Sequence, residues 1–456
     1  MKTQSDNLPN TIVTVPDIRL DQPTKKVENF DMALKSQIEA MVKTLRDEGG
    51  VGLAANQAGY PNQVITIEYA EKDSEAQIPL KIFINPEIVE YSEEKNCAEE
   101  GCLSVPKIEL DIERAEKIKI KYQDEVGHRK KLTPKGLLAR ILQHEIDHLN
   151  GIIFTHRAQD QLFAKFPELN NLNILFLGSG EFASIILEGL ILFGFNTNII
   201  TEKEKPAGRD QANKKTAVAE MADKFKKKYF EVDQISELPI ELANTPIDLI
   251  ICADFGRLIP KKILDLPNLG AINIHPSLLP EFQGPTPIPS AILAGVNETG
   301  VTIIRMSEKI DQGPILAQVS VELSNSENSW DLEERLATVG LKLLIKALPL
   351  IAKKQIREIP QDQTKASFTR KFSKEDGLIS WSKSTKKIVR QINAYYPWPG
   401  SYTFLGEKRL IIHQAHLEKN KLALDIVQPE GKRPMLWQDF LRGYNGPKPK
   451  WFTKIS

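Results

Sequence analysis

Asn173-Ile174-Leu175-Phe176-Leu177-Gly178-Ser179-Gly180 is an apolar run of strand length that opens into a glycine turn. Bounded this way and followed by the helical spacing of Glu181 to Phe193, it reads as a buried strand feeding a helix. Asn198-Ile199-Ile200, Ile247-Asp248-Leu249-Ile250-Ile251 and Ala271-Ile272-Asn273-Ile274 repeat the strand signal downstream. Strands alternating with helices predict a parallel α/β sheet. Gly178-Ser179-Gly180-Glu181-Phe182-Ala183 also satisfies the relaxed dinucleotide fingerprint G-x-G-x-x-A, and Glu202 follows at about the distance of a ribose-binding acid. A nicotinamide enzyme is therefore one reading of this half.

A different chemistry is written further along, in Asn273-Ile274-His275-Pro276-Ser277-Leu278-Leu279-Pro280 and the later Asp311-Gln312-Gly313-Pro314. Ligands of open parallel sheets sit beyond the carboxyl ends of strands, where Asn273 and His275 alternate outward. An amide, an imidazole and a carboxylate converging there suit acyl transfer. Asn273 would donate to the tetrahedral oxyanion, His275 would stabilise it or move its proton, and Asp311 would orient the imidazole. No side-chain nucleophile is needed if the substrate brings its own amine.

Upstream of the sheet, Gln143-His144-Glu145-Ile146-Asp147-His148 places H-E-x-x-H in a helical segment. Two imidazoles four residues apart share a helix face and can close on one ion, with Glu145 between them as a base. The downstream sequence offers only His156 nearby as a third ligand, and Cys102 in Glu99-Glu100-Gly101-Cys102-Leu103-Ser104-Val105-Pro106 is the better candidate. A thiolate with two imidazoles leaves a fourth position for water and suits iron(II) or zinc. Gly50-Val51-Gly52-Leu53-Ala54-Ala55-Asn56-Gln57 adds a glycine-rich loop ending in an amide that can donate and accept.

These three segments resemble the motifs of the peptide deformylase family, over roughly residues 10 to 158. The resemblance implies that Cys102, His144 and His148 hold the metal, generally iron in that family. It also implies that Glu145 is the acid/base and that Gln57 and the backbone N–H of Leu103 polarise the formyl oxygen. The helix that usually follows the metal helix is reduced here to about fifteen residues, Arg157 to Asn171. From about residue 172 onward, the N-x-H-x-S-L-L-P run and the later aspartate resemble the formyltransferases that use 10-formyltetrahydrofolate, most closely the methionyl-tRNA formyltransferase family. By that resemblance Phe255, Gly256, Arg257 and Leu258, with Ile259, and Ser277, Leu278, Leu279 and Pro280 line the folate site. Pro206-Ala207-Gly208-Arg209 matches an insertion that meets the tRNA acceptor arm, with Lys214 and Lys215 nearby for phosphates. Ser367 to Trp381 and Asn393-Ala394-Tyr395-Tyr396-Pro397-Trp398-Pro399-Gly400 match the opening of that family's tRNA-binding barrel. Pro276 and Phe255 depart from the usual residues. The passage from Ile412 almost directly to Lys421-Leu422-Ala423-Leu424 predicts an abridged barrel.

The expected organisation is multidomain: an α+β metal-hydrolase domain at 1–168, an α/β parallel-sheet, Rossmann-like formyltransferase domain at 172–360, a linker at 361–377, and a small abridged OB-like β-barrel at 378–456. A chain of 456 residues with 41% hydrophobic residues can bury a core in each. No stretch approaches the roughly eighteen apolar residues of a membrane helix, and the three cysteines fit a reducing cytoplasm. Cys97 reads as a bystander and Cys252 as core. The net charge of zero hides an acidic excess before residue 170 and an equal basic excess after it, suiting the C-terminal end to a polyanion. The expected reading is a bifunctional enzyme of translation initiation. Its substrates are initiator methionyl-tRNA and nascent N-formylmethionyl peptides at the ribosome, and its oligomeric state is left open. A sugar or other amine formyltransferase fused to the deformylase, and a non-catalytic RNA- or ribosome-binding adaptor, are the alternatives.

Overall fold

The computed structural model describes residues 11–70, 77–207, 212–419, 421–447 and 449–455. The chain forms two compact units, Met1–Asn170 with Leu192–Gly194, and Asn171–Ile191 with Phe195–Ser456.

In the first unit helix α1 (Met32–Asp47) starts at Asp31, whose carboxylate accepts from the N–H groups of Ala33 and Leu34 at 3.0 Å each. Its Leu34, Ile38, Met41, Val42 and Leu45 recur at helical spacing and are buried with Leu53, Val64 and Ile84. The strands are β1 (Gly52–Ala54), β2 (Val64–Tyr69), β3 (Ile78–Tyr91), β4 (Lys95–Cys102), β5 (Val105–Ala115), β6 (Ile118–Gln123) and β7 (Arg129–Leu132). Five of them make one antiparallel sheet in the order β1-β2-β3-β6-β7, and β4 and β5 form a separate hairpin. Helix α2 (Gly136–Leu149) lays Ala139, Leu142, Ile146 and Leu149 against Ile65, Phe83, Ile118 and Ile120. Every residue from Ala139 to Leu149 is buried, so the polar side chains of α2 need partners inside the protein. Helix α3 (Phe154–Lys165) and a turn at Pro167–Leu169 follow, in keeping with the expected short segment.

The second unit opens with β8 (Asn173–Gly178), α4 (Glu181–Leu192) and β9 (Asn196–Glu202). A small hairpin of β10 (Lys205–Ala207) and β11 (Ala212–Lys214) leads to α5 (Ala217–Lys224), β12 (Tyr229–Val232), β13 (Leu249–Ala253), α6 (Lys261–Leu264) and β14 (Ala271–His275). Then come α7 (Pro287–Ala294), β15 (Glu298–Arg305), β16 (Ile315–Glu322) and α8 (Ser329–Ala352). The sheet order is β12-β9-β8-β13-β14-β15-β16. The first five strands are parallel, as expected; β15 and β16 add an antiparallel edge, so the sheet is mixed. Its order reverses between β8 and β13, which opens a crevice at their carboxyl ends. Gly340 of α8 lies where a Cβ would be 3.3 Å from Ile274 and 3.4 Å from Val301, so glycine lets this helix lie close on the sheet.

Residues 361–377, expected as a linker, are tied to the loops of the seven-stranded sheet. Gln361 donates to the carbonyls of Asp311 and Gly313 at 2.7 Å each, and the Phe282 N–H donates to Ser367 at 2.8 Å. Beyond them α9 (Thr385–Ala394) and the antiparallel strands β17 (Ser401–Leu405), β18 (Lys408–Glu418), β19 (Lys421–Pro429) and β20 (Met435–Leu436) form a small β domain, followed by α10 (Trp437–Gly443). Ile388, Val389 and Ile392 of α9 cover the sheet together with Trp437, Phe440 and Trp451. Trp381 stacks on Trp451, centroids 4.4 Å apart and planes 4° from parallel. These aromatics fill the core of a sheet with few strands.

Candidate active sites

Cys102 ends β4 at a register shift in the β4–β5 hairpin, and His144 and His148 lie one turn apart on α2. Their ligand atoms all lie within 4.8 Å of one another. Cys102 Sγ is 3.2 Å from His148 Nε2, while His144 turns its Nδ1 to Glu100 Oε2 at 2.9 Å, leaving Nε2 toward the cluster. This is a half-buried cysteine sulfur and two buried imidazoles close together, a donor set that fits a transition-metal ion. His156, the alternative ligand, is outside the cluster.

Glu145 sits beside these side chains with Oε2 buried and no hydrogen-bond partner among the described residues. Burial pushes its carboxyl up to about 7, the range of a group that exchanges protons at neutral pH. Gly52 makes room for it: a Cβ there would lie 2.5 Å from Glu145 Oε1 and 2.9 Å from Ile141. Gln57 donates to Cys102 Sγ at 3.4 Å and Ser104 Oγ at 3.2 Å, and its oxygen accepts from the Ala54 N–H at 2.8 Å, which fixes the amide with its donor end toward the cluster. Leu103, half-buried, follows Cys102 directly. Asn56 donates to the His148 carbonyl at 2.6 Å.

Behind the ligands lies a buried ion network absent from the sequence reading. Arg114 grips Glu100 through two bonds of 2.6 and 2.9 Å and reaches Asp147 at 2.8 Å, and Arg140 adds a third bond to Glu100 at 2.5 Å. Burial would raise the Glu100 carboxyl, yet hydrogen bonds from His144 and Arg114 hold it down to about 2. Glu100 was quoted in its motif, but only the third dimension joins it to His144.

In the second unit a cavity of about 720 Å³ opens beyond the ends of β13 and β14. Asn273, His275 and Asp311 line it, with Asp254, Phe255, Gly256, Arg257 and Leu258. His275 is oriented by the Phe282 carbonyl, 3.0 Å from Nε2, so the neutral ring presents Nδ1 as its lone pair, 3.7 Å from Asp311 Oδ2. At that separation Asp311 faces the ring at ion-pair distance rather than through a hydrogen bond. Its carboxylate accepts from Asn273 Nδ2 at 3.2 Å and the Gly284 N–H at 2.8 Å. The backbone there is left-handed, φ 55°, which aspartate tolerates, and Gln361 holds its carbonyl. Sequence gave no signal for Gln361 or for the Phe282 carbonyl.

Ser277, Leu278, Leu279 and Pro280 do not line this cavity. Ser277 Oγ donates to the Glu281 carbonyl at 2.7 Å, and Thr302 Oγ bridges the Ser277 carbonyl at 2.6 Å and the Leu279 N–H at 3.1 Å. Their hydrogen bonds brace the turn that presents His275. The dinucleotide fingerprint is also accounted for. A Cβ on Gly180 would lie 1.7 Å from Asp254 Oδ2, so this carboxylate fills the space over the turn where a phosphate would sit. Glu202 accepts from the Gly256 N–H at 3.1 Å and pairs with Arg257 at 3.1 Å, which leaves it committed to the loop rather than to a ribose. Arg209 lies outside the described residues. Lys214 is exposed, and Lys215 bonds Asp223 at 2.7 Å and the Tyr229 hydroxyl at 3.2 Å. Cys97 is exposed and Cys252 buried, although the latter borders the cavity.

Taken together, the two sites carry the groups of a metal-dependent hydrolase and of an acyl transferase. Residues 9–163 match the family described as polypeptide deformylase, 172–348 match formyl transferase, and 371–425 match the formyl transferase C-terminal domain. A methionyl-tRNA formyltransferase of Staphylococcus aureus (strain Newman) is 36% identical over 252 residues, covering 55% of this chain and 81% of the relative. The chain belongs to the methionyl-tRNA formyltransferase family and carries a peptide deformylase domain ahead of it. Among solved structures, the peptide deformylase of Synechococcus elongatus in complex with actinonin is 39% identical, covering 33% of this chain and 82% of that one, with a TM-score of 0.31. The Thermotoga maritima deformylase is 40% identical, with 32% and 95% covered and a TM-score of 0.30. No described helix is long and apolar enough to cross a membrane.

Proposed function

We propose that this chain is a bifunctional enzyme that transfers formyl from 10-formyltetrahydrofolate to the amine of methionyl-initiator-tRNA and hydrolyses formyl from N-formylmethionyl peptides. The observation that carries the reading is the convergence of Asn273, His275 and Asp311 on one cavity, in a chain whose other unit brings Cys102, His144 and His148 around Glu145.

In the transferase unit the acceptor amine attacks the formyl carbon. Asn273, held by Asp311, donates to the oxygen that becomes the oxyanion. His275 takes the amine proton at Nδ1, where the nearby Asp311 carboxylate stabilises the imidazolium. The carbon–nitrogen bond to the folate then breaks, and its nitrogen recovers a proton. Phe255, Gly256, Arg257 and Leu258 belong to the folate wall.

In the hydrolase unit an iron(II) or zinc ion held by Cys102, His144 and His148 would supply Lewis acidity that activates water. Glu145 carries the proton to the departing amine, while Gln57 and the Leu103 N–H donate to the formyl oxygen. The domain limits 1–168, 172–360 and 378–456, the tRNA contacts of Arg209, Lys214 and Lys215, and a cytoplasmic place of work at the ribosome belong to the same reading.

The test is to assay the purified chain for folate-dependent formylation of charged initiator tRNA and for formate release from a formyl-methionyl peptide. Glu145→Ala is expected to abolish only the second activity and His275→Ala only the first. Failure of the unaltered chain, loaded with iron or zinc and given both substrates, in either assay rules out the bifunctional reading.

A further inference from the structure

Two tryptophans stand open at the same cavity as Asn273 and Asp311. Trp330, in the first turn of α8, is 36% exposed, and Trp398, in the turn between α9 and β17, is 56% exposed. They belong to segments far apart in sequence that are bonded together: Ser329 Oγ donates to the Ala394 carbonyl at 2.7 Å, and Asn393 donates to the Asn325 carbonyl at 3.3 Å. The small β domain thus contributes one aromatic face and the catalytic sheet's last helix the other. Exposed indole is unfavourable in water, and aromatic surface kept open at the rim of a site suits a flat, apolar-faced partner. Lys371, exposed and also lining the cavity, adds a cation.

We infer that Trp330 and Trp398 form a stacking platform for the 3′-terminal base of the acceptor RNA. This rests on the reading of the acceptor as a charged tRNA. The reacting amine of such a substrate is joined through one aminoacyl ester to the terminal ribose, so when the amine lies at Asn273 the terminal base lies one sugar away, still at the cavity. The backbone phosphates follow the base and meet Lys371 and the basic C-terminal part. The folate also carries a flat ring system, but its wall in this reading is the Phe255–Leu258 loop, and the two sources separate in kinetics.

The experiment measures formylation by the whole chain with Trp330→Ala, Trp398→Ala and the corresponding Phe substitutions. Base stacking on an aromatic side chain predicts a rise in KM for methionyl-tRNA on the order of tenfold for each alanine variant, largely restored by phenylalanine. The KM for 10-formyltetrahydrofolate and the rate of peptide deformylation stay unchanged, the latter reporting an intact chain. In parallel, tryptophan fluorescence of the unaltered protein follows binding of an acceptor-stem RNA ending in CCA and of one ending in CC. The first is expected to quench and bind more tightly, and this comparison decides the matter even if an alanine variant misfolds. Equal binding and quenching by the two RNAs, an unchanged KM for tRNA in both alanine variants, or a rise in the folate KM instead would overturn the inference. If the unaltered chain formylates no charged tRNA, the underlying reading fails; if it does and the platform variants behave as wild type, only the platform fails.

Discussion

Asn273 donates its side-chain amide to Asp311 at 3.2 Å, and Asp311 also accepts from the Gly284 N–H at 2.8 Å while the neighbouring His275 takes its orientation from a backbone carbonyl. The carboxylate therefore fixes the Asn273 amide, and in the proposed reaction it aims that amide at the oxyanion and its charge supports the imidazole at Nδ1.

Replacing Asp311 with Asn substitutes a neutral amide for the carboxylate that accepts both bonds. Formylation kcat is expected to fall by about 10²–10³, the loss typical of a misaimed oxyanion donor, with peptide deformylation unchanged. Steady-state kinetics on both reactions check this; an unaltered formylation rate would assign Asn273 its geometry without Asp311.

Glu100 offers a second test, because it carries His144 on one oxygen and two arginines besides. Glu100→Gln weakens the hold on the His144 ring, and metal affinity is expected to drop about 10- to 100-fold. The same change strands Arg114 and Arg140 beside a neutral group, a loss of about 3–5 kcal/mol in stability. Metal titration and denaturant unfolding measure the two effects separately.

Gly52→Ala probes the passage of Glu145 past β1. The new methyl would meet Glu145 Oε1 at 2.5 Å and Ile141 at 2.9 Å, so the carboxylate must shift. Deformylation is expected to fall by about 10²-fold or more, as for a displaced general base, with metal stoichiometry intact. Retained activity would show that Glu145 has room to move and still function.

Glu333 lines the cavity that also holds Asn273 and His275, and burial, reinforced by Asp254, pushes its carboxyl up from 4.5 to about 7. Glu181 and Glu334 face it with the same sign, whereas the Phe182 N–H, which donates to it at 3.3 Å, favours the charged form. A carboxyl with a raised folded value binds its proton more tightly folded than unfolded. Its contribution is therefore full below about pH 4.5 and is lost as pH rises toward 7. Glu333→Gln is expected to raise stability at pH 8 by on the order of 1–2 kcal/mol relative to wild type and to change little at pH 4.5. Unfolding midpoints at the two pH values supply the comparison, and an equal effect at both would remove the titration from the account.

The Cys102, His144 and His148 cluster was readable because the helical repeat brings the two histidines to one face and the hairpin motif names Cys102. The sheet was readable in Asn173–Gly178, since a strand covered on both faces is apolar throughout. Local patterns did not disclose that Ser277 to Pro280 would turn inward to Thr302, that Gln361 would reach back to Asp311, or that β15 would run antiparallel. Each depends on partners that folding brings from far along the chain.

Sequence by itself determined which reactive groups this protein carries: a cysteine and two histidines with their glutamate, and the amide, imidazole and carboxylate of a second cluster, because these are fixed by residue type and short spacing. Tertiary structure alone decided how those groups are aimed. The tautomer of His275 follows from the Phe282 carbonyl, the free nitrogen of His144 from Glu100, and the closed dinucleotide turn from Asp254 over Gly180. The physical reason is that hydrogen bonds and close contacts act over a few ångströms of space, whatever the number of residues between the partners.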